Sequence, residues 1–362
     1  MRVGASHLTY CTNIHAGESW AEVRANLETH VVAVKARVCP GAPFGVGLRL
    51  SARAARELAP EIHTVRRWLD DAGLYVFTIN GFPYGAFHGV PVKADVYRPD
   101  WLEDERVAYT RLLADLLAEL LPDGVAGTIS TVPGCFRDRA GDPAEMARRM
   151  RACAAHFAAI EARTGKHIVL AIEPEPCCVI ETIAEAITFF TLHLRNVSHV
   201  GLCLDTCHAA VEFEQLDEAM DALWIANVAI AKVQLSSGLA VAFADRAALV
   251  PFGDAVYLHQ VVARRGRELA RYPDLADAFA ADAPADEWRV HFHVPLFRSE
   301  LGVLSSTQAF VADLLRHHRE HPVTAHFEVE TYTWDVLPAE YRGEPIDDAI
   351  ARELGWVLER LA

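Results

Sequence analysis

Short apolar runs alternate along this chain with longer segments in which apolar residues recur every three or four positions. The runs are Val3–Tyr10, Val46–Ser51, Tyr75–Asn80, Gly127–Val132, His167–Glu173, Val200–Asp205, Ile230–Leu235, Val290–Val294 and Thr324–Glu330. Amphipathic helical patterns occupy Trp101–Leu121, Pro143–Thr164, Glu181–Leu194 and Thr307–Arg319. Strand-then-helix alternation predicts a parallel sheet with right-handed crossovers, and eight such units close into a (β/α)8 TIM barrel of the α/β class. Nine strand candidates is one too many. Residues 238–288, which contain a helix-like stretch at Ala255–Ala270, read as an insertion between strands seven and eight, with Val290–Val294 returning as a rim strand. No Gly/Ser-rich or Pro-rich linker divides the chain, so one domain over residues 1–362 is expected.

Polar residues gather where barrel chemistry is expected, at the C-terminal ends of the strands. Asn80, Glu173, Glu175, Asp205, His208, Gln234, Glu328 and Glu330 all fall there. Strands buried on both faces should read as nearly continuous apolar residues. Carboxylates at the ends of strands five (LAIEPEP), six (LCLDTCH) and eight (AHFEVETY) would repel one another unless a cation lies between them. Each has a plainer reading alone: a carboxylate can cap a helix or pair with an arginine, and Asp205 can be an N-cap. Together they point to a metal-type site. In RVHFHVPLF, His291 and His293 share one face of a short strand, a spacing that suits shared ligation or a merely polar rim. The loop NGFPYGAFHG could cover a small ligand with aromatic faces, or be an ordinary turn.

Composition adds exclusions. The 362 residues are 52% apolar and 23% charged, which fits a large core. A net charge of −15 counts against wrapping nucleic acid, because phosphates need a surplus of Lys and Arg. No run reaches the ~20 apolar residues of a membrane span, and the first residues carry no secretory pattern, so a cytoplasmic protein is expected. The eight cysteines form no CxxC pair and read as buried free thiols.

IEPEP, LDTCH and FEVETY resemble the metal-bearing strand ends of the xylose-isomerase-like TIM-barrel superfamily of sugar-phosphate isomerases and epimerases. More closely, HLTYCTNIHAGESW, TINGFPYG, STVPG, LCLDTCHAAVEFE, KVQLSS, YLHQV, HFHVPLF and EVETYTWDVLP resemble the metabolite traffic protein EboE family over nearly the whole length. The superfamily resemblance implies one divalent metal (Mn, Mg, Co or Zn) held by Glu173, Asp205 and Glu330, with Glu328 the competing choice and His208 on substrate. Gln234 stands where the pattern has a strand-seven His; an amide oxygen suits hard cations better than Zn or Co, and His293 could supply the missing nitrogen.

The implied chemistry is an isomerase or epimerase acting on a polyhydroxylated or precursor metabolite. Glu173 and Glu330 would exchange a proton through an enediolate, with His208, His291, Asn80, Tyr84 and Glu328 as candidate substrate contacts. The EboE resemblance implies instead a role in moving a metabolite, without a defined reaction. A metal-dependent endonuclease on the same fold is opposed by the acidic charge.

Overall fold

The computed structural model describes residues 1–361. Eight parallel strands form the barrel: β1 (Ser6–Tyr10), β2 (Phe44–Arg49), β3 (Leu74–Asn80), β4 (Gly127–Thr131), β5 (Ile168–Ile172), β6 (Val200–Asp205), β7 (Ile230–Leu235) and β8 (His326–Val329). From β2 to β8 each pairs with the next in parallel register, and β8 pairs with β1. Between β1 and β2 the barrel is sealed by one bridge, Cys11 to Gly47. A ninth, two-residue strand, Arg2–Val3, hairpins back antiparallel on β1.

The crossover helices start and stop where their sequences dictate. Asp142 caps the helix Pro143–Thr164, Pro143 fills its first turn, and Gly165 ends it at φ 70°. Thr182 and Glu185 form a reciprocal capping box on Ile183–His193. Both helices lay apolar faces on the barrel, among them Met146, Met150, Phe157, Phe189 and Phe190.

The insertion expected after β7 is a six-stranded antiparallel sheet, ordered Glu268–Tyr272, Val261–Arg265, Glu287–Val290, Leu239–Ala242, Leu304–Ser306 and Glu300–Leu301. Two sequence expectations are corrected here. Ala255–Ala270 is not a helix: Val261–Arg265 and Glu268–Tyr272 form a hairpin, with Arg265 facing Glu268 and Gly266 at φ 59° in the two-residue turn. The expected rim strand Val290–Val294 is also displaced. Its ladder covers Glu287–Val290; beyond it the chain turns, and Val294 N donates to Ser237 O at the end of β7. The added sheet therefore continues past residue 288 to Ser306. Its two ends meet: Thr307 N donates to Gly238 O at 2.9 Å, and Gly238 N to Thr307 Oγ1 at 2.8 Å.

Candidate metal centre

Three carboxylates meet at the C-terminal mouth of the barrel. Glu173 directly follows β5, Asp205 ends β6, and Glu330 directly follows β8. A carboxylate oxygen of each lies within 4.8 Å of the other two. All three are buried. Glu330 Oε1 accepts from Asn13 Nδ2 at 2.6 Å and Asn80 Nδ2 at 2.9 Å. Asp205 Oδ1 accepts from His208 N at 2.9 Å and Ser236 Oγ at 2.6 Å, but Asp205 Oδ2 and Glu173 Oε2 have no partner. Burial, then the charge of Glu330 on Glu173 and of Asp205 on Glu330, holds both carboxyls well above the usual range. Gln234 lies in the ladder between Asp205 and Glu328, fully buried, and neither atom of its amide has a partner.

Beside them stand three imidazoles whose tautomers follow from their partners. His208 Nδ1 faces Pro174 O at 2.9 Å, His291 Nδ1 faces Gln260 Oε1 at 2.8 Å, and His293 Nδ1 faces Glu330 O at 2.8 Å. Gln260 is oriented by its own amide, which donates to Tyr97 Oη at 2.7 Å; that hydroxyl donates to Glu175 Oε1 at 2.7 Å. Carbonyl oxygens only accept, so each Nδ1 carries its proton and each Nε2 presents a lone pair. These lone pairs converge: Nε2 of His291 is 3.1 Å from Nε2 of both His208 and His293. Burial, then the neighbouring imidazole of His208, pushes His291 well below the ordinary histidine range; burial takes His293 down to about 4. Neither takes up a proton near neutrality, so the converging lone pairs of this cluster are a candidate set of metal ligands. Asp205 stands between the two sets, with Oδ1 3.9 Å from His208 Nε2 and Oδ2 4.0 Å from His293 Nε2.

The orphaned oxygens and facing nitrogens fit a divalent cation in two adjoining positions. Glu173, Asp205 and Glu330 form a hard oxygen set, and the unpartnered Gln234 amide stands on the strand beside Asp205. His208, His291 and His293 form a nitrogen set, with Asp205 common to both.

Two candidates named from sequence sit elsewhere. Glu328 points one layer deeper, fully buried and ion-paired to Lys232 at 2.5 Å, because Gly47 opposite leaves room only for its carboxylate. Tyr84 turns outward: its hydroxyl accepts from Arg56 Nη2 at 2.9 Å and its ring packs on Tyr109. Asn80 lines the mouth. Asn13, Tyr97, Gln260 and Tyr332 also line it, and none of them is among the sequence candidates. Asn13 follows β1 as the other polar residues follow their strands, a signal the strand-end pattern contains. Gln260 lies within the segment whose spacing resembles a helix, which conceals its place at the mouth.

Over this floor the recess holds about 520 Å³ of space outside the atoms, its solvent-open part included. Its roof comes from the loop after β3 and from the insertion, which are clasped together. Val92 N and Lys93 N both donate to Val256 O, and Lys93 Nζ reaches Asp274 Oδ2 at 2.6 Å.

Solved structures repeat this architecture. A xylose isomerase-like TIM barrel protein from Mycobacterium smegmatis, in complex with magnesium, superposes at TM-score 0.56 and 14% identity, covering 100% of this chain and 98% of that one. The probable 3-DHS dehydratase AsbF of Bacillus anthracis superposes at 0.51 and 15%, covering 96% and 97%. D-psicose 3-epimerase in the presence of D-fructose gives 0.50 and 14%, covering 98% and 99%. No curated protein sequence matches the chain. Residues 41–265 match the family described as Xylose isomerase-like TIM barrel, and with its barrel and strand-end constellation the chain belongs to that family.

Proposed function

We propose that this protein is a metal-dependent isomerase or epimerase that moves a proton on a carbon next to a carbonyl of a small hydroxylated metabolite. The observation that carries this reading is the convergence of three buried carboxylates with three imidazole lone pairs, without a cationic side chain among them. A divalent ion held by Glu173, Asp205, Glu330 and Gln234, or by His208, His291 and His293, would polarise a carbonyl and its neighbouring hydroxyl.

The chain's own groups divide the remaining work. Glu173 is the better base: one of its oxygens is free and burial keeps its carboxyl basic. Glu330 is restrained by two amide donors, so it holds its position and returns the proton from the other side. Glu175, held up to about 7 by burial and tied to Tyr97, can store a proton at the edge of the recess. The similarity to an epimerase and a dehydratase agrees with α-proton chemistry, and the magnesium-bound neighbour with a metal.

A second reading, metabolite binding and traffic as in the EboE family, is favoured by the clasped roof and by Gln234 in place of an imidazole.

Metal analysis of the purified protein, then NMR of candidate hydroxycarbonyl compounds in D2O, separates the two. The enzyme reading expects bound metal and deuterium entering one carbon, slowed at least ~100-fold by Glu173→Gln. Bound metal without exchange on any such compound would leave traffic as the better description, and protein that retains no metal would sink both metal assignments.

A further inference from the structure

We infer that the recess takes an uncharged, unphosphorylated hydroxy compound bearing an aryl group. This rests on the recess being the substrate site proposed above. The first support is charge. Glu173, Glu175, Asp205 and Glu330 gather four carboxylates on the floor, against the single divalent ion proposed above. A phosphate dianion would meet no surplus positive charge there.

Among the described residues, no Arg or Lys lines the recess. Cations on the elements around it are already engaged. Arg49 is bound to Glu18 and the carbonyl of Gly17, and Arg106 to the carbonyls of Pro99, Gly81 and Phe82. Lys93 is bound to Asp274 and the carbonyls of Asp254 and Tyr257, and Lys232 to Glu328 beneath the floor. Releasing Lys232 or Arg106 to hold a phosphate would strand a buried carboxylate or several carbonyls, and Arg49 and Lys93 already spend their donors on the partners named.

The second support is the roof. Phe87, Val92, Tyr257 and Tyr332 form an apolar cluster of their own, separate from the barrel core. They come from three segments: the loop after β3, the insertion and the loop after β8. The three rings meet at centroid distances of 5.0–5.2 Å and tilts of 52–77°. Their polar tips are placed at the edges: Tyr257 Oη is 2.8 Å from His88 Nδ1, and Tyr332 Oη is 3.4 Å from His291 Nε2. A ligand is thus offered hydroxyl and carbonyl partners below and ring edges and faces above.

The test compares phenyl β-D-glucopyranoside, methyl β-D-glucopyranoside and glucose 6-phosphate by calorimetric titration of the intact, manganese-loaded protein. The phenyl glycoside is expected to bind about 10-fold tighter than the methyl glycoside, and glucose 6-phosphate weakest. Phe87→Ala should erase the phenyl advantage and Phe87→Leu should keep part of it, with circular dichroism confirming that both fold. Equal affinities for the two glycosides, a phenyl advantage untouched in both variants, or tightest binding of glucose 6-phosphate would each overturn the inference. Because binding is read without turnover, an intact phenyl preference alongside absent deuterium exchange would remove only the enzymatic reading.

Discussion

An added Cβ at Gly47 would run into the Glu328 carboxylate and come within 2.6 Å of Tyr10 O. Neither neighbour can retreat, since Tyr10 O is backbone and Glu328 is locked to Lys232 at 2.5 Å with both side chains fully buried. Gly47→Ala should therefore destabilise the protein by about 3 kcal/mol or more, read from denaturant unfolding. A loss under about 1 kcal/mol would mean that the ion pair is not rigid. At the metal centre, His293→Ala removes one of three converging nitrogens, and metal affinity should drop ~10-fold or more. Unchanged affinity in that variant would leave the imidazoles as rim structure. Glu173, Asp205 and Glu330 were legible because a carboxylate that ends an apolar strand loses its hydration, and three of them together call for a cation. Lys232 was not, because a single Lys in a strand does not show which layer of the barrel its partner occupies. The tautomers of the three histidines were equally out of reach. They depend on Pro174 O, Gln260 and Glu330 O, distant in sequence and adjacent only in the fold.

The barrel strands were readable because they are apolar runs separated by well-capped helices. The inserted sheet was not, because Val261–Arg265 and Glu268–Tyr272 lie on its edge side, where Leu269 and Ala270 are spaced as well for a helix as for a strand. The decisive residue is Gly266, whose positive φ turns the chain back after five residues. This sheet and the loop after β3 are held together through Lys93, whose ammonium reaches Asp274 at 2.6 Å and Tyr257 O at 2.7 Å. Lys93→Met should free that loop while leaving global stability within about 1 kcal/mol, since the pair is partly exposed. Limited proteolysis is the measurement: cleavage between residues 85 and 99 should accelerate in the variant. Equal cleavage rates would show that the two backbone bonds to Val256 O suffice to hold the roof.

For the molecule as a whole, two sets of buried groups oppose each other as pH changes. Burial holds Glu212, Glu214 and Glu353 up to about 7, against an ordinary 4.5. They are protonated in the fold but ionised in the unfolded chain between those values, so their contribution is lost as pH rises from 4.5 through 7. Burial takes His7 down to about 4 and His15 and His326 to about 3, against an ordinary 6.5. Their contribution is complete above 6.5 and is lost as pH falls. The metal-free protein should thus be most stable between about pH 4.5 and 6.5 and decline on either side. Scanning calorimetry in chelator checks this, and a maximum at pH 8 would contradict it. Added divalent metal should raise Tm more at pH 8 than at pH 5, because ligand carboxyls must lose their protons to bind it.

The neck of the insertion has a further consequence. Gly238 and Thr307 hydrogen-bond to each other, so everything between them leaves the barrel and returns at one point. That stretch carries Tyr257, Gln260, His291 and His293: one wall of the roof, two imidazoles and the amide that orients one of them. In the vocabulary of recombination it is a cassette, with both crossover points beside β7 and neither inside a stave. Exchange would suit it better than deletion, since Val241, Trp288, Val290 and Phe292 are part of the common core and would leave apolar surface behind. Swapping the cassette between relatives would change ligand preference and the nitrogen complement together, while Glu173, Asp205 and Glu330 stayed where the barrel puts them.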